Sequence, residues 1–226
     1  MSADNNESDL GCRSCRRLHG YLSTLAPRRG LQAADYWGRA VPGFGDRQGR
    51  VCLVGLAPGA HGANRTGRPF TGDGAGDFMY PLLHRAGFAN QGEAVEIGDG
   101  LVLHDLFITN AVKCAPPENR PTPAEFAACR PKLAADLAAL PRLRVVLALG
   151  REAFNSVLQL LREQGRIERL RDYPFGHGRE YPLPGGPIVV ASYHTSRYNV
   201  QTGRLTEAMF LTLLDRVRLL AAGEND

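Results

Sequence analysis

Four short runs of apolar, largely β-branched residues lie along this chain of 226 residues, and each is followed by a loop. Because their positions are apolar consecutively rather than alternately, the runs predict strands that are buried on both faces. Helical stretches separate these strands, which favours a parallel sheet covered by helices on both sides. The predicted strands are Val51–Leu56, Leu106–Val112, Val145–Leu149 and Ile188–Ser192.

Four stretches have the periodicity of amphipathic helices, with apolar residues recurring at steps of three and four. The predicted helices are Gly76–Ala86, Pro123–Leu140, Arg151–Gln164 and Arg204–Ala221. Thr122 is positioned to cap the second helix, with Glu125 completing a capping box. We therefore predict one α/β domain over residues 1–226, a three-layer α/β/α structure with a central four-stranded, mainly parallel sheet. Residues 1–10 are expected to be flexible, and residues 173–187 to form an extended loop.

Composition narrows the class of protein only slightly. No run of eighteen apolar residues exists, so no membrane span is expected, and the polar N-terminus lacks the features of a signal peptide. We therefore expect a cytoplasmic protein, and we also expect it to be a monomer. The net charge is +4, and of the 27 basic residues only Lys113 and Lys132 are lysines. Arginine suits bidentate contacts with phosphate, although a GC-rich genome would produce the same bias.

The loop after the first predicted strand, residues 55–73, is rich in glycine and precedes a helix. Glycines allow backbone N–H groups to approach a ligand closely, so Gly55, Ala57 and Gly59 are expected to line a substrate site. The loop lacks the lysine of a phosphate-binding Walker motif. Its end places an aromatic ring, Phe70, and a carboxylate, Asp73, within four residues.

The loop after the last predicted strand begins with His194, a candidate for catalysis. In an open α/β sheet the ligand lies at the carboxyl ends of the strands, so this histidine is expected to face the first loop. Hydroxyl, amide and arginine side chains follow it and suit phosphate oxygens or a base stack. The residues predicted to bind nucleic acid are Ser196, Arg197, Tyr198, Asn199 and Gln201, together with Asn64 and Arg65 of the first loop.

Five cysteines occur, and in a reducing compartment metal ligation or burial is a better explanation for them than disulfide formation. Cys52 lies inside a predicted strand and is expected to be a small core residue. Cys12 and Cys15 form a Cys-x-x-Cys pair, whereas fourteen residues separate Cys114 from Cys129. Four thiolates can hold zinc or a [4Fe–4S] cluster, and the wide second spacing favours the cluster.

Together the two loops resemble the two signature motifs of the uracil-DNA glycosylase superfamily, and residues 55–73 are similar to its family-5 branch in particular. The arrangement of Cys12, Cys15, Cys114 and Cys129 is similar to the [4Fe–4S] ligands of families 4 and 5. The likeness extends from Gly11 to about Leu214. It implies a repair enzyme that hydrolyses the glycosidic bond of uracil in double-stranded DNA, and of other deaminated bases such as hypoxanthine, during base excision repair.

The resemblance also assigns roles. Phe70 would stack on a base flipped out of the duplex, and His194 would hydrogen-bond the uracil O2. Asn110 occupies the position of the amide that reads the base edge in family 4, with Asn119 as a rival. Asp73 would orient or activate water, and the alternative role for it is that of a helix N-cap. Either Arg197 or Tyr198 would wedge into the duplex.

Two departures from the superfamily pattern stand out. Residues 57–60 carry no polar side chain where better-known relatives place the residue that activates water, and Thr195 replaces the proline that often follows the histidine. The main alternative function is that of a non-catalytic iron–sulfur protein that binds nucleic acid. A nucleotide hydrolase is disfavoured because no carboxylate cluster suited to magnesium is present. With no lysine in the motif loops, we expect a monofunctional glycosylase.

Overall fold

A computed structural model of the chain describes residues 12–223, and the segment 1–10 that we predicted to be flexible lies outside the described residues. Among the described residues a six-stranded sheet forms the centre of the molecule. The strands are β1 (Phe44–Gly45), β2 (Val51–Gly55), β3 (Leu106–Asn110), β4 (Val145–Leu149), β5 (Glu180–Tyr181) and β6 (Ile188–Ser192). Their order across the sheet is β1-β3-β2-β4-β6-β5.

The four long strands pair in parallel, as predicted, and the two outer strands were missed. β1 pairs antiparallel with β3, and β5 pairs antiparallel with β6 inside the stretch that we predicted to be only a loop. The prediction of a four-stranded sheet was therefore wrong in its number of strands. The physical reason is that a two-residue strand has no periodicity of its own and is defined by the neighbour with which it pairs.

The helices are α1 (Arg16–Thr24), α2 (Ala63–Thr66), α3 (Gly74–Arg85), α4 (Pro123–Ala138), α5 (Arg151–Glu163), α6 (Arg197–Gln201) and α7 (Glu207–Ala222). The four predicted helices match α3, α4, α5 and α7 to within three residues at each end, whereas α1, α2 and α6 were not predicted. The capping box of α4 is confirmed: Thr122 accepts from the backbone of Glu125, and the Glu125 carboxylate accepts from the backbone of Thr122.

The layers explain why the long strands are apolar at consecutive positions. Alternate residues of β2 enter two different cores: Val51 and Leu53 pack with α3 and α7, whereas Cys52 and Val54 pack with α4 and α5. Cys52 is fully buried, as expected for a core residue. The three-layer α/β/α architecture is thus confirmed. Among residues 12–223 no helix is long and apolar enough to cross a membrane.

Candidate active site

A cavity of about 620 Å³ opens at the carboxyl ends of β2, β3 and β6. Its position is the one expected for ligands of an open α/β sheet. Nine residues of the predicted site line it: Ala57, Gly59, Phe70, Asp73, Asn110, Asn119, His194, Ser196 and Arg197. The fold therefore brings together loops that lie more than a hundred residues apart in the chain.

The floor of the cavity is built on Gly55, the last residue of β2. A Cβ atom at this position would lie 2.4 Å from Oδ1 of Asn110 and 2.6 Å from Cζ of Phe70. The missing side chain therefore allows the amide of Asn110 and the ring of Phe70 to approach each other. Asn110 is buried at this floor, whereas Asn119 lies on the exposed rim with a φ of +55°.

Phe70 is held in an unusual backbone conformation, with a φ of +54°. Gly76 makes room for it, because a Cβ there would lie 1.6 Å from the carbonyl oxygen of Phe70. The preceding residue is also fixed, since the hydroxyl of Tyr80 donates to the carbonyl of Pro69 at 2.8 Å. A positive φ in a bulky residue costs free energy, and such strain is typical of functional sites.

Arg68 also fixes the loop that carries Phe70. It is 3% exposed and forms two hydrogen bonds, of 2.8 and 2.6 Å, with the carboxylate of Asp99. The Arg68 guanidinium, helped by backbone N–H donors, holds the pKa of Asp99 well below its usual range. A buried, bidentate ion pair fixes geometry in a way that an exposed pair does not.

Asp73 uses its two carboxylate oxygens differently. Oδ1 caps α3 by accepting from the backbone N–H groups of Ala75 and Gly76 at 3.0 and 3.2 Å. Oδ2 lies against the glycine loop, where a Cβ on Gly59 or Gly62 would be 3.0 or 2.3 Å from it. One side chain can thus cap α3 and still present a carboxylate oxygen to the cavity.

His194 follows β6 and faces the ring of Phe70, with the ring centroids 6.1 Å apart and the planes tilted by 34°. The amide of Asn199 donates to the backbone carbonyl of His194 at 2.8 Å and holds the loop. Burial lowers the pKa of His194, and the nearby Asp73 carboxylate only partly opposes this shift. A pKa below the usual value of about 6.5 keeps the imidazole neutral at neutral pH.

Most residues predicted to contact nucleic acid lie on an open surface beside the cavity. Ser196 caps α6, the guanidinium of Arg197 lies over Gly74 and reaches Asp77 at 3.9 Å, and Tyr198 is 70% exposed. Gln201 is exposed on the same short helix.

Asn64 requires a correction, and Arg65 is less accessible than we predicted. Asn64 is 1% exposed, and its amide donates to the carbonyl of Ala60, so its side chain is not available to a phosphate. It holds the glycine loop from within. Arg65 is half-buried and donates to the carbonyl of His61 at 3.3 Å. Both residues lie on the short helix α2, which the sequence pattern did not reveal.

Sequence reasoning missed one wall of the cavity. Tyr21 and Arg28, from the N-terminal part of the chain, line it together with His61 and Glu118. The hydroxyl of Tyr36 links this wall to the glycine loop through a 2.8 Å hydrogen bond with Nδ1 of His61. No local motif marks Tyr21, Arg28 or Tyr36, because long-range packing alone brings the N-terminal segment to the sheet edge.

The four predicted metal ligands lie in one region beside this wall. Cys114 and Cys129 are buried in a small apolar cluster against which Cys15 packs, and all three interact electrostatically with Cys12. Burial, reinforced by the neighbouring thiols, raises the pKa of Cys15 to about 11 and that of Cys114 to about 12. Within residues 12–223 no three His, Cys, Asp or Glu side chains are arranged as a ready-made site for a metal ion.

Lys113 is buried, and its ammonium group has partners within the protein. Its ammonium contacts the carboxylate of Asp136 and the hydroxyl of Thr109. Thr109 precedes Asn110 on β3, and since alternate strand residues face opposite sides of a sheet, Lys113 is tied to the side away from the cavity. It does not line the cavity.

Comparison with known proteins agrees with this arrangement of loops. The profile of the Uracil DNA glycosylase superfamily matches residues 42–218, which include both loops and all six strands of the sheet. The chain belongs to the uracil-DNA glycosylase superfamily. It is 51% identical over 211 residues to a type-5 uracil-DNA glycosylase of Thermus thermophilus, covering 93% of this chain and 94% of that protein.

Other relatives point to the same branch of the superfamily. A type-5 uracil-DNA glycosylase of Pyrobaculum aerophilum is 44% identical, over 92% of this chain and 88% of its own length. A type-4 uracil-DNA glycosylase from the same organism is 38% identical over only 61% of each chain. The resemblance to family 5 that the sequence motifs indicated is therefore confirmed.

Proposed function

We propose that this protein is a DNA glycosylase that hydrolyses the N-glycosidic bond of uracil, and of other deaminated bases such as hypoxanthine, in double-stranded DNA. The observation that carries the proposal is the convergence of Phe70, Asp73, Asn110 and His194 on one cavity. Full-length relatives that are named as type-5 uracil-DNA glycosylases support it. The protein would act as a monomer in the cytoplasm, as part of base excision repair.

In this proposal the damaged base leaves the duplex and enters the cavity, at a cost of a few kcal/mol for unstacking. The ring of Phe70 provides the face on which the base stacks. Asn110, buried at the floor beside that ring, is better placed than the exposed Asn119 to read the edge of the base. Its position supports assigning edge recognition to Asn110 and a rim contact to Asn119.

Hydrolysis requires a stabilised leaving group and a positioned water molecule. His194, neutral because of burial, would donate a hydrogen bond to the uracil O2 as negative charge develops there. Oδ2 of Asp73, left uncommitted by the helix cap, would orient the water that attacks the sugar. Residues 57–60 supply no polar side chain for that task, which leaves Asp73 as the carboxylate of the glycine loop.

We also propose that Cys12, Cys15, Cys114 and Cys129 bind a [4Fe–4S] cluster with a structural role. The residues suit such a group, because Cys15, Cys114 and Cys129 share one apolar cluster and all three interact electrostatically with Cys12. When bound, the cluster would tie α1 to β3 and α4, and so support the wall that Tyr21 adds to the cavity. The ion pair of Arg17 with Glu125, at 2.7 Å, already joins α1 to α4.

The positions of the two lysines support a monofunctional mechanism. Lys113 is paired with Asp136, and neither it nor Lys132 lines the cavity, so neither lysine is placed to form a Schiff base with the sugar. Borohydride should therefore fail to trap the protein covalently on DNA that contains uracil, and a trapped complex would refute this part. The alternative of a purely DNA-binding protein is not favoured, since it leaves the shared cavity of Phe70, Asp73 and His194 unexplained.

The decisive experiment is cleavage of an end-labelled duplex that carries one G·U or one G·hypoxanthine pair, with and without alkali. Wild-type protein should give strand scission only after alkali. Asp73→Asn should lower the rate by about 10²–10⁴-fold. The amide oxygen can still cap the helix, but an amide cannot act as a general base for water. Asp77→Asn, on the exposed face of the same helix, is the matched control and should retain activity.

Two outcomes would count against the proposal. If wild-type protein leaves both lesions intact, the protein is not a glycosylase for these bases. If Asp73→Asn cleaves as fast as wild type, Asp73 only caps α3. The cluster is tested by measuring iron and sulfide after anaerobic purification: Cys114→Ala should lose iron, while Cys52→Ala, a buried cysteine outside the group, should retain it. Zinc in place of iron would refute the cluster.

A further inference from the structure

His177 lies outside the cavity, on the segment that runs alongside the end of β6. The backbone N–H of Gly178 donates to the carbonyl of Ala191 at 2.8 Å, and the N–H of Ala191 donates to the carbonyl of Arg179 at 2.9 Å. This pairing extends the antiparallel edge that β5 forms with β6. It brings the imidazole of His177 next to the backbone from which His194 projects.

The imidazole of His177 hydrogen-bonds with two separate stretches of backbone. Nδ1 accepts the backbone N–H of Tyr193 at 3.3 Å, and the hydroxyl of Ser192 lies 3.4 Å from the same nitrogen. Burial lowers the pKa of His177, and a hydrogen bond with the backbone of Met209, on α7, partly opposes this shift. Because Nδ1 accepts the N–H of Tyr193, the neutral ring carries its proton on Nε2.

The ring also stacks on its neighbour. The centroids of His177 and Tyr193 are 5.2 Å apart with the planes at 21°, and the guanidinium of Arg204 lies 4.7 Å from the centre of the Tyr193 ring. Tyr193 directly precedes His194. Its backbone N–H and its ring are thus both held by His177, while Arg204 also contacts the ring.

We propose that His177 is a positioning residue for the reaction: it fixes Tyr193 and thereby sets where the imidazole of His194 stands over the base. The inference rests on the proposed function, because it gives His177 a part in glycosidic hydrolysis. His177 touches neither the cavity nor the substrate, since it is absent from the cavity lining. A small displacement of His194 would weaken a hydrogen bond that must form as charge develops, and misplacement by about 1 Å can cost about 10²-fold in rate.

Two variants separate the hydrogen bond from the stacking. His177→Phe keeps an aromatic ring beside Tyr193 but removes the acceptor for its N–H. His177→Asn loses the stacking but can place its amide oxygen near the position of Nδ1. His104→Phe, on an exposed loop, is the matched control. Melting temperature and affinity for abasic-site DNA are measured for each variant to confirm folding and DNA binding.

We expect His177→Phe to lower the single-turnover rate about tenfold while the Kd for DNA changes less than about twofold. His177→Asn should restore the rate to within about threefold of wild type, and His104→Phe should equal wild type. Equal losses in the Phe and Asn variants, or a folded His177→Phe with the wild-type rate, would overturn the inference. Inactive wild-type protein would instead refute the proposed function.

A second measurement does not depend on activity. In protein labelled with ¹⁵N-histidine, NMR should find His177 as the neutral form protonated on Nε2 at neutral pH. The Nδ1-protonated tautomer, or a charged imidazole at that pH, would place two donors against each other at Tyr193 and would also overturn the inference.

Discussion

Two walls face each other across the cavity, and they are built in opposite ways. The glycine loop, residues 56–73, is held by buried contacts: the ion pair of Arg68 with Asp99 and the bond of Tyr80 to Pro69. The opposite wall, residues 194–201, exposes Arg197 and Tyr198 to solvent. The difference indicates that the glycine loop is fixed by contacts within the protein, and under the proposed function we expect the exposed wall to gain further contacts from DNA.

The energetic reason lies in desolvation. A buried ion pair has already lost its water, so removal of one partner leaves a charge without compensation. An exposed pair such as Arg197 with Asp77 contributes little to folding, and its arginine remains free to exchange that partner for a phosphate. The same residue type therefore stabilises the fold on one wall, and under the proposed function it would bind phosphate on the other.

The largest expected effect comes from Arg68→Met. The change should lower the free energy of unfolding by about 3–5 kcal/mol, because Asp99 stays only 12% exposed and loses its cation. Chemical denaturation measures it. Arg197→Met is the matched control and should stay within about 0.5 kcal/mol of wild type. Similar losses in both variants would remove the distinction between the walls.

The dependence of stability on pH sharpens the same point. Because the pKa of Asp99 is lowered in the folded state, its contribution is fully present above the unfolded value of about 3.9 and is lost as pH falls below it. The stability difference between wild type and Asp99→Asn should thus shrink by at least about 1 kcal/mol between pH 7 and pH 3. Denaturation at both pH values tests this, and a constant difference would contradict it.

On the exposed wall, Arg197→Met should weaken DNA binding rather than folding. We expect the Kd for duplex DNA to rise about tenfold, and the slope of log K against log salt to become shallower by about 1, because one phosphate contact is lost. Fluorescence anisotropy over a salt series measures both quantities. An unchanged salt slope would indicate that Arg197 contacts the base stack instead.

The smallest expected effect belongs to Tyr198→Ala. A residue that wedges into a base stack matters only when a stack exists, so removal of uracil should slow about threefold in duplex DNA and remain unchanged in single-stranded DNA. Parallel rate measurements on the two substrates test this. If Arg197→Met rather than Tyr198→Ala produces the duplex-specific loss, Arg197 is the wedge.

The sequence predicted some features of the site because they are local or repeat at every strand end. Phe70, Asp73 and His194 follow predicted strands, and in a parallel sheet all such ends meet at one edge. The double use of Asp73 could not be predicted, since a helix cap and a cavity-facing oxygen leave the same residue in the same motif. Asn64 was misjudged because burial depends on α2, a turn of helix too short to have periodicity.

By itself the sequence determined the four parallel strands, because burial on both faces dictates residue type at every position of a strand. The periodicity of the covering helices and the spacing of the cysteines can also be read along the chain. Only the tertiary structure decided which side chains share the cavity. Tyr21 and Arg28 reach it from the N-terminal segment, and His177 reaches the backbone before His194 from the segment that precedes β5. Those contacts depend on how elements far apart in the chain pack together. The pattern of residues along the chain does not specify which distant elements meet.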